Sequence, residues 1–439
     1  MCKTKLQLPS DKNLENKIVW FFSTQTMGNI NPIILIYIIS FMDLFAIALS
    51  FPLLAPHLQD LGASHTFIGA VVSIYSGIQV VSGPIIKNAN FQGGWSDIRG
   101  RKSILKMMLL ISGLCYGILG TTSSFTVIII LRIILGMVKH IQTLCRAIIS
   151  DICPPDKHME IFGKSAAISG IGFIVGPFLG GHISEVSNGF SYVSFLTMVL
   201  FFINIGVASL LPDSKPKTRT TPIVNSTGII NTIKLETSKT LNGLKSIDWT
   251  KQWEPFALRF LFSLAMTAFL TNQGLLLKEK YQLSQKYSGY VISYFSTVGT
   301  FSAYFLDSIS RLFKNNDCIS KLLGYYIVII LSVVSIYLTP NLLIHMSILM
   351  PISISSTALR ILTMELIMQE SNGDHNGSLS GACYSVTSIS RFVTPLLSGF
   401  LGDIFGVEAV ILIAAIPALA GVLLCLHMKV SRCVDVKEE

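Results

Sequence analysis

Charge is what this sequence lacks. Asp, Glu, Lys and Arg supply 13% of its 439 residues, about half of the ~25% that a soluble domain carries. Hydrophobic residues make up 51%, and mean hydropathy is +0.61. Too little polar surface remains to wet a globule of this size. A solvated enzyme, a secreted disulfide scaffold and a disordered hub all fit poorly. Cys2, Cys115, Cys145, Cys153, Cys318, Cys383, Cys425 and Cys433 are scattered without CxxC pairs or Cys/His ligand spacing. That argues against a disulfide framework and against a zinc site. No Walker-type loop, nucleophile elbow or HExxH is present, so ATP-driven and hydrolytic chemistry have no support. No cofactor and no metal are expected. The polar N-terminus MCKTKLQLPSDKNLENK lacks an apolar core followed by a small-residue cleavage site. The first apolar span is therefore expected to direct insertion itself.

Apolar length is what the chain has. A crossing helix takes about 20 apolar residues. Twelve stretches qualify, at about 32–56, 66–86, 104–121, 124–145, 165–184, 190–211, 256–277, 287–308, 322–340, 342–368, 378–402 and 408–428. Backbone inside hydrocarbon must satisfy its own hydrogen bonds, so each stretch predicts a helix. The expected fold is an all-α polytopic membrane protein. Residues 212–254, rich in Ser, Thr and basic residues, read as a polar linker. The expected order is a terminal segment 1–31, a six-helix bundle 32–211, the linker, a second six-helix bundle 255–428 and a tail 429–439.

The formal net charge of +9 could suggest nucleic acid in a soluble protein. Here the bases sit between apolar spans. One set of loops collects Lys87, Arg99, Arg101, Lys102, Lys157, Lys164 and every base of the linker; the opposite set holds Lys278, Lys280 and Lys286. The asymmetry predicts that both termini are cytoplasmic. The Asn225-Ser226-Thr227 sequon would then stay unglycosylated. Plasma membrane and intracellular vesicle membrane both remain open.

The halves echo one another. GKSAAISGIGFIVGPFLGG begins at Gly163. In the second half GACYSVTSISRFVTPLLSG begins at Gly381 and places Pro395 against Pro177 and Gly399 against Gly181. Paired halves with a site near the midplane are a transporter design.

Between the second and third spans runs Gly93-Gly94-Trp95-Ser96-Asp97-Ile98-Arg99-Gly100-Arg101-Lys102, whose glycines permit a tight turn. It resembles the major facilitator superfamily signature G-x-L-x-D-R-x-G-R-R/K; Trp95 and Ile98 depart from it. The resemblance covers nearly the whole chain, and the first five spans look nearest to the tetracycline-resistance-like branch. The stretch from Gly136 to Pro154 is similar to a eukaryotic subfamily. The resemblance implies two bundles rocking around a central cavity. It also implies a cytoplasmic clamp, with Asp97 at the start of the eleventh helix and Arg101 paired with Asp151. A positive-inside turn without a gating role is the competing reading. Lys87 to Gln92 intervenes ahead of the motif as a polar insertion that would loosen the turn.

The fifth span carries Gly172, Gly176, Pro177, Gly180 and Gly181. Small residues let helices approach closely, and Pro177 removes a backbone hydrogen bond. The run resembles the G-x-x-x-G-P-x-x-G-G signature of family antiporters; close packing alone is the other reading.

Arg132, Lys139 and Arg146 lie seven apart in the fourth span, a spacing that keeps them on one helical face. A base at bilayer depth is costly unless partnered or wet, so this face is expected to line the cavity, although Arg146 could snorkel to headgroups. Arg132 to Gly136 resembles the family's R-x-x-x-G pattern, linked to proton transfer. Asp43, Lys139 and Arg391 fall near one depth. Asp43 either carries a coupling proton or forms a static bridge with Lys139 or Arg391. Glu365 reads as interfacial, and His57, His65 and His345 as solvated boundary residues.

The functional expectation is a secondary active transporter exchanging a small organic solute for protons by alternating access. The mid-membrane excess of bases points to an anionic solute. Expected partners are that solute, protons and the lipid bilayer, without nucleic acid, for a monomeric chain. A proton-independent facilitator and a non-transporting receptor or scaffold are the alternatives.

Overall fold

A computed structural model describes residues 31–87, 90–154, 157–212, 249–306, 308, 317–369 and 376–438. The linker core and the residues ahead of Asn31 lie outside the described residues. The helices are α1 (Pro32–Asp60), α2 (His65–Lys87), α3 (Asn90–Leu119), α4 (Phe125–Val138), α5 (Ile141–Ile152), α6 (His158–Ile183) and α7 (Gly189–Ser209) in the first half. The second half holds α8 (Trp249–Glu279), α9 (Gln285–Tyr304), α10 (Cys318–Leu338), α11 (Leu342–Gln369), α12 (Asn376–Phe405), α13 (Val407–Ile413) and α14 (Ala415–Glu438). No strand occurs among the described residues.

These residues start and stop helices for identifiable reasons. Asn31 caps α1 by accepting from the Ile33 amide at 3.0 Å, with Pro32 at the first helical position, where its missing N–H costs nothing. Gly62, at φ +87°, turns the chain after α1 in a conformation most side chains resist. Asp317 caps α10 through the Ser320 amide at 3.2 Å.

Two expected spans are each built from two helices. α4 and α5 form one crossing broken at Lys139-His140, and α13 and α14 form another broken at Ala414. Counting each pair once gives twelve crossings in two six-helix bundles. The expected tight turn at Gly93-Gly94 is not one. Those glycines lie within α3, which starts at Asn90; glycine permits a turn without demanding it.

Among the described residues nine segments are long and apolar enough to span by composition alone. The other three crossings are α2, α9 and α12. α9 and α12 are the more polar of these, and each faces the opposite bundle as well as lipid, α9 packing along α6 and α12 along α2. Lipid-facing stripes look different. Leu110, Leu114 and Ile118 follow one another every four residues on α3, and all three are exposed.

The side on which α1 begins is called proximal here, and the other distal. The bundles are closed on one another distally. A methyl group built on Gly69 would sit 2.1 Å from the Pro395 carbonyl oxygen, and one on Gly289 would sit 2.2 Å from that of Pro177. Around these contacts Lys278 bonds Asp60 at 2.5 Å, and Gln59 bonds Glu279 at 2.5 Å. Glu185 accepts from the Ser284 hydroxyl at 2.5 Å. Asp403 accepts from the amides of His65 and Thr66 at 2.8 and 2.9 Å. A cavity of about 360 Å³ opens in this distal seam, beside Pro56, Glu185 and Lys278.

Candidate solute and proton site

The first bundle holds an ion pair at mid-depth. Asp43, on α1, is 2% exposed, and Lys139, at the α4–α5 break, is 8% exposed. The Lys139 ammonium donates to one Asp43 oxygen, and the Gln142 amide donates to the other at 3.1 Å and to the Ser40 carbonyl at 2.9 Å. The ammonium also lies 4.1 Å from the Phe201 ring centroid. Both carboxylate oxygens are therefore satisfied, as a buried charge pair requires.

The break that frees Lys139 leaves helix carbonyls without their usual partners. α2 supplies replacements. The Ser82 hydroxyl is shared between the Ile78 carbonyl of its own helix at 2.8 Å and the Gly136 carbonyl at 3.1 Å, and Gln79 approaches the Lys139 carbonyl at 3.4 Å. Ser82 also bonds the His140 ring at 2.8 Å. Gly136 makes the approach possible, because a methyl group there would lie 2.8 Å from Ile78 Cβ. Irregular backbone at bilayer depth is tolerated only where protein satisfies it in this way. Gln79, Ser82 and Gln142 were not singled out from the sequence. The available signal was Gln79, the one amide side chain in the second span.

The expected Arg132–Lys139–Arg146 stripe does not exist as one face, because the helix is interrupted in its middle. Arg132 is buried in the first bundle, its guanidinium 5.7 Å from the Tyr75 ring centroid, and its Nε has no hydrogen-bond partner among the described residues. Arg146, exposed on α5, reaches across to the Tyr384 hydroxyl of α12 at 3.4 Å. Arg391 is exposed on α12, and Asp43's bonds go to Lys139 and Gln142 instead.

Arg101 Nη1 lies 2.8 Å from Asp151 Oδ2, each side chain partly exposed. Lys102 stands beside Arg101 on α3. The Asp97 side chain, and Gly377 and Ser378 where it was expected to meet α12, lie outside the described side chains, as does Asp307, which the sequence puts at the second-half position corresponding to the clamp but without its glycines. Gly93 and Gly100 are helical.

The fifth-span motif packs two ways. Methyl groups on Gly172, Gly176 and Gly180 would lie 2.8, 2.5 and 2.3 Å from atoms of Phe45, Ala48 and Leu49 on α1. Gly181 and Pro177 face α9 instead. One set of small residues binds the motif helix into its own bundle, and the other seals it against the partner bundle. Glu365 is exposed and bonded to Gln369. His345, expected at a solvated boundary, is fully buried and lies 3.3 Å from the Tyr281 hydroxyl.

Twin six-helix bundles with an interrupted helix and an ion pair at mid-depth form the architecture of a secondary transporter. The model described as Major Facilitator Superfamily matches residues 33–395, and the chain belongs to that superfamily. It is thus a multi-pass membrane transporter and not an enzyme. It is similar to the Quinolone resistance protein NorA of Staphylococcus aureus, 28% identical over 413 residues, which cover 93% of this chain and 98% of that protein. The Tetracycline resistance protein, class H, of Pasteurella multocida is 28% identical over 198 residues, or 44% of this chain and 47% of that protein. The crystal structure of the nucleoside transporter NupG has the same fold, with TM-score 0.68 at 14% identity, covering 91% of this chain and 99% of that one.

Proposed function

We propose that this transporter exchanges a small organic solute for protons by alternating access, and that Asp43–Lys139 is its proton-linked element. Similarity to two drug-resistance proteins supports export from the cytoplasm, with the proximal face cytoplasmic as the loop charges suggest. The observation that carries the reading is the buried pair placed at a helix break. Protonating Asp43 removes the countercharge of Lys139. An unpartnered ammonium at this depth costs about 3–5 kcal/mol, so the protonated bundle favours a different arrangement of the break. The ionised pair occurs here with the distal seam closed, so protonation favours the distally open state. Solute and proton then cross on alternate strokes. The membrane, whether surface or vesicular, is set by signals outside this site.

The test is a flux screen of anionic, neutral and cationic solutes in proteoliposomes, with and without a pH difference. Accumulation that a protonophore collapses supports exchange. Flux indifferent to the pH gradient would establish a facilitator of the same fold.

A further inference from the structure

Three arginines outside the ion pair converge from three helices of the second bundle. Arg259 lies ten residues into α8, which begins at Trp249, and Arg360 nine residues before α11 ends at Gln369. At about 1.5 Å per residue, both are roughly 15 Å from the proximal helix ends. Arg391 is fifteen residues into α12, which begins at Asn376, and so lies somewhat deeper.

Arg259 donates to the Arg360 carbonyl at 2.5 Å and to the Thr363 hydroxyl at 3.1 Å. Its guanidinium is thereby fixed against α11 with N–H donors left over. Arg360 and Arg391 are solvent-exposed, although protein crowds them on most sides. Arg360 acts on the charge of Arg259, and Arg391 on that of Arg360, while Arg391 itself also feels Tyr75 of α2. Among the described residues no carboxylate is bonded to any of the three or acts on their charge. Of the other deep bases, Lys139 is committed to Asp43, and Arg132 lies over the Tyr75 ring in the first bundle.

Like charges gathered at bilayer depth need water or a counter-ion. Arg360 and Arg391 are exposed on the two helices that flank Arg259, where a counter-ion can reach them. The planar guanidinium matches the two oxygens of a carboxylate, sulfonate or phosphate. Tyr384, 59% exposed, lies near Arg259, its hydroxyl accepting from Arg146 of the first bundle at 3.4 Å.

We propose that Arg259, Arg360 and Arg391 form the subsite for the anionic group of the transported solute, so that the solute is an organic anion held by the second bundle. This deepens the transport reading above by naming the solute class and moving its charge away from Lys139. A cationic solute would meet three unpaired bases there.

The test uses purified full-length protein in nanodiscs and two dyes of one skeleton and opposite charge, fluorescein and rhodamine 123. Thermal stabilisation is titrated with each. Fluorescein is expected to stabilise the wild type and rhodamine 123 not to. Arg360→Gln and Arg391→Gln should each weaken fluorescein binding at least about tenfold, the loss of one charged hydrogen bond. Arg391→Lys, which keeps the charge, should recover part of it and controls for folding. Stabilisation by rhodamine 123 alone or equally, by neither dye, or by fluorescein undiminished in both Gln variants would overturn the proposal. A parallel arm compares phosphatidylcholine discs with discs containing phosphatidylglycerol. If the anionic lipid alone stabilises, and does so through the same arginines, the occupant is a headgroup and the solute assignment is wrong. Binding here does not depend on protons. Anion binding without proton flux would keep this site and end the exchange reading; proton-driven flux of rhodamine 123 would do the reverse.

Discussion

Glu185 and Asp403 hold the same place in the two halves of the molecule. The step along the chain from one to the other equals the step from Pro177 to Pro395. Each carboxylate ends its own helix at the distal face and meets the start of the helix opposite. Asp403 takes the first amides of α2, while Glu185 takes the Ser284 hydroxyl at the start of α9 and approaches Lys286 at 3.7 Å. Carboxylates at helix N-termini are favourable, so the distal seam is closed by one device used twice. Beneath each carboxylate a proline carbonyl lies against a glycine.

That glycine contact leaves no room for a side chain. Gly69→Val and Gly289→Val should each wedge the seam open, because the obstructing atom is backbone. On a background with native cysteines replaced, an impermeant thiol reagent on the distal side should label Ser288→Cys several-fold faster in either variant. Gly170→Val and Gly206→Val, where nothing lies within 4 Å, should leave labelling unchanged.

Asp403 should not be a sensor near neutral pH. Burial pushes its pKa up, but hydrogen bonds from Thr66 and His65 outweigh this and hold it below the ordinary 3.8. A depressed carboxyl stabilises above its ordinary pKa and loses that contribution as pH falls through the folded value. The difference in distal labelling between wild type and Asp403→Asn should therefore stay constant from about pH 5 to 8 and vanish only below about pH 4.

Asp43→Asn should strand Lys139 and lower stability by about 3–5 kcal/mol. Replacing both partners, with Asp43→Asn and Lys139→Met, should restore most of it, since a buried pair is often replaceable by apolar packing. Thermal unfolding in detergent checks both. Equal destabilisation of the single and double variants would show that the pair is not an isolated unit.

The helix break depends on α2. Ser82→Ala should remove a hydroxyl that bridges the Gly136 carbonyl and the His140 ring and cost about 1–3 kcal/mol. Ser82→Thr, which keeps the hydroxyl, should cost less. The same unfolding assay separates them.

The crossings were legible because the bilayer demands an apolar run of fixed length, and that constraint acts on each stretch independently. Asp43 and Lys139 could be placed at one depth by counting residues. Their bond could not, because Arg391 lay at a similar depth and the choice between bases is made by how the helices pack. The break at Lys139-His140 carries no Gly or Pro to announce it. What permits it is Ser82 and Gln79, far back along the chain on a neighbouring helix. His345 is buried for a similar reason, through its contact with Tyr281. The paired carboxylates were within reach of the sequence, since the offset that relates the prolines also carries Glu185 onto Asp403. The arginine cluster needed the fold, because its members come from three helices spread across the second half of the chain.

Spin labels at Ser187 and Gln282, on the distal loops of opposite halves, would report the coupling of Asp43 protonation to the seam without requiring the solute. Acidification should lengthen the distance between them in the otherwise native protein and leave it unchanged once Asp43→Asn and Lys139→Met are introduced. An acid-induced opening of equal size in the doubly substituted protein, or none in either, would contradict a proton-linked role for this pair.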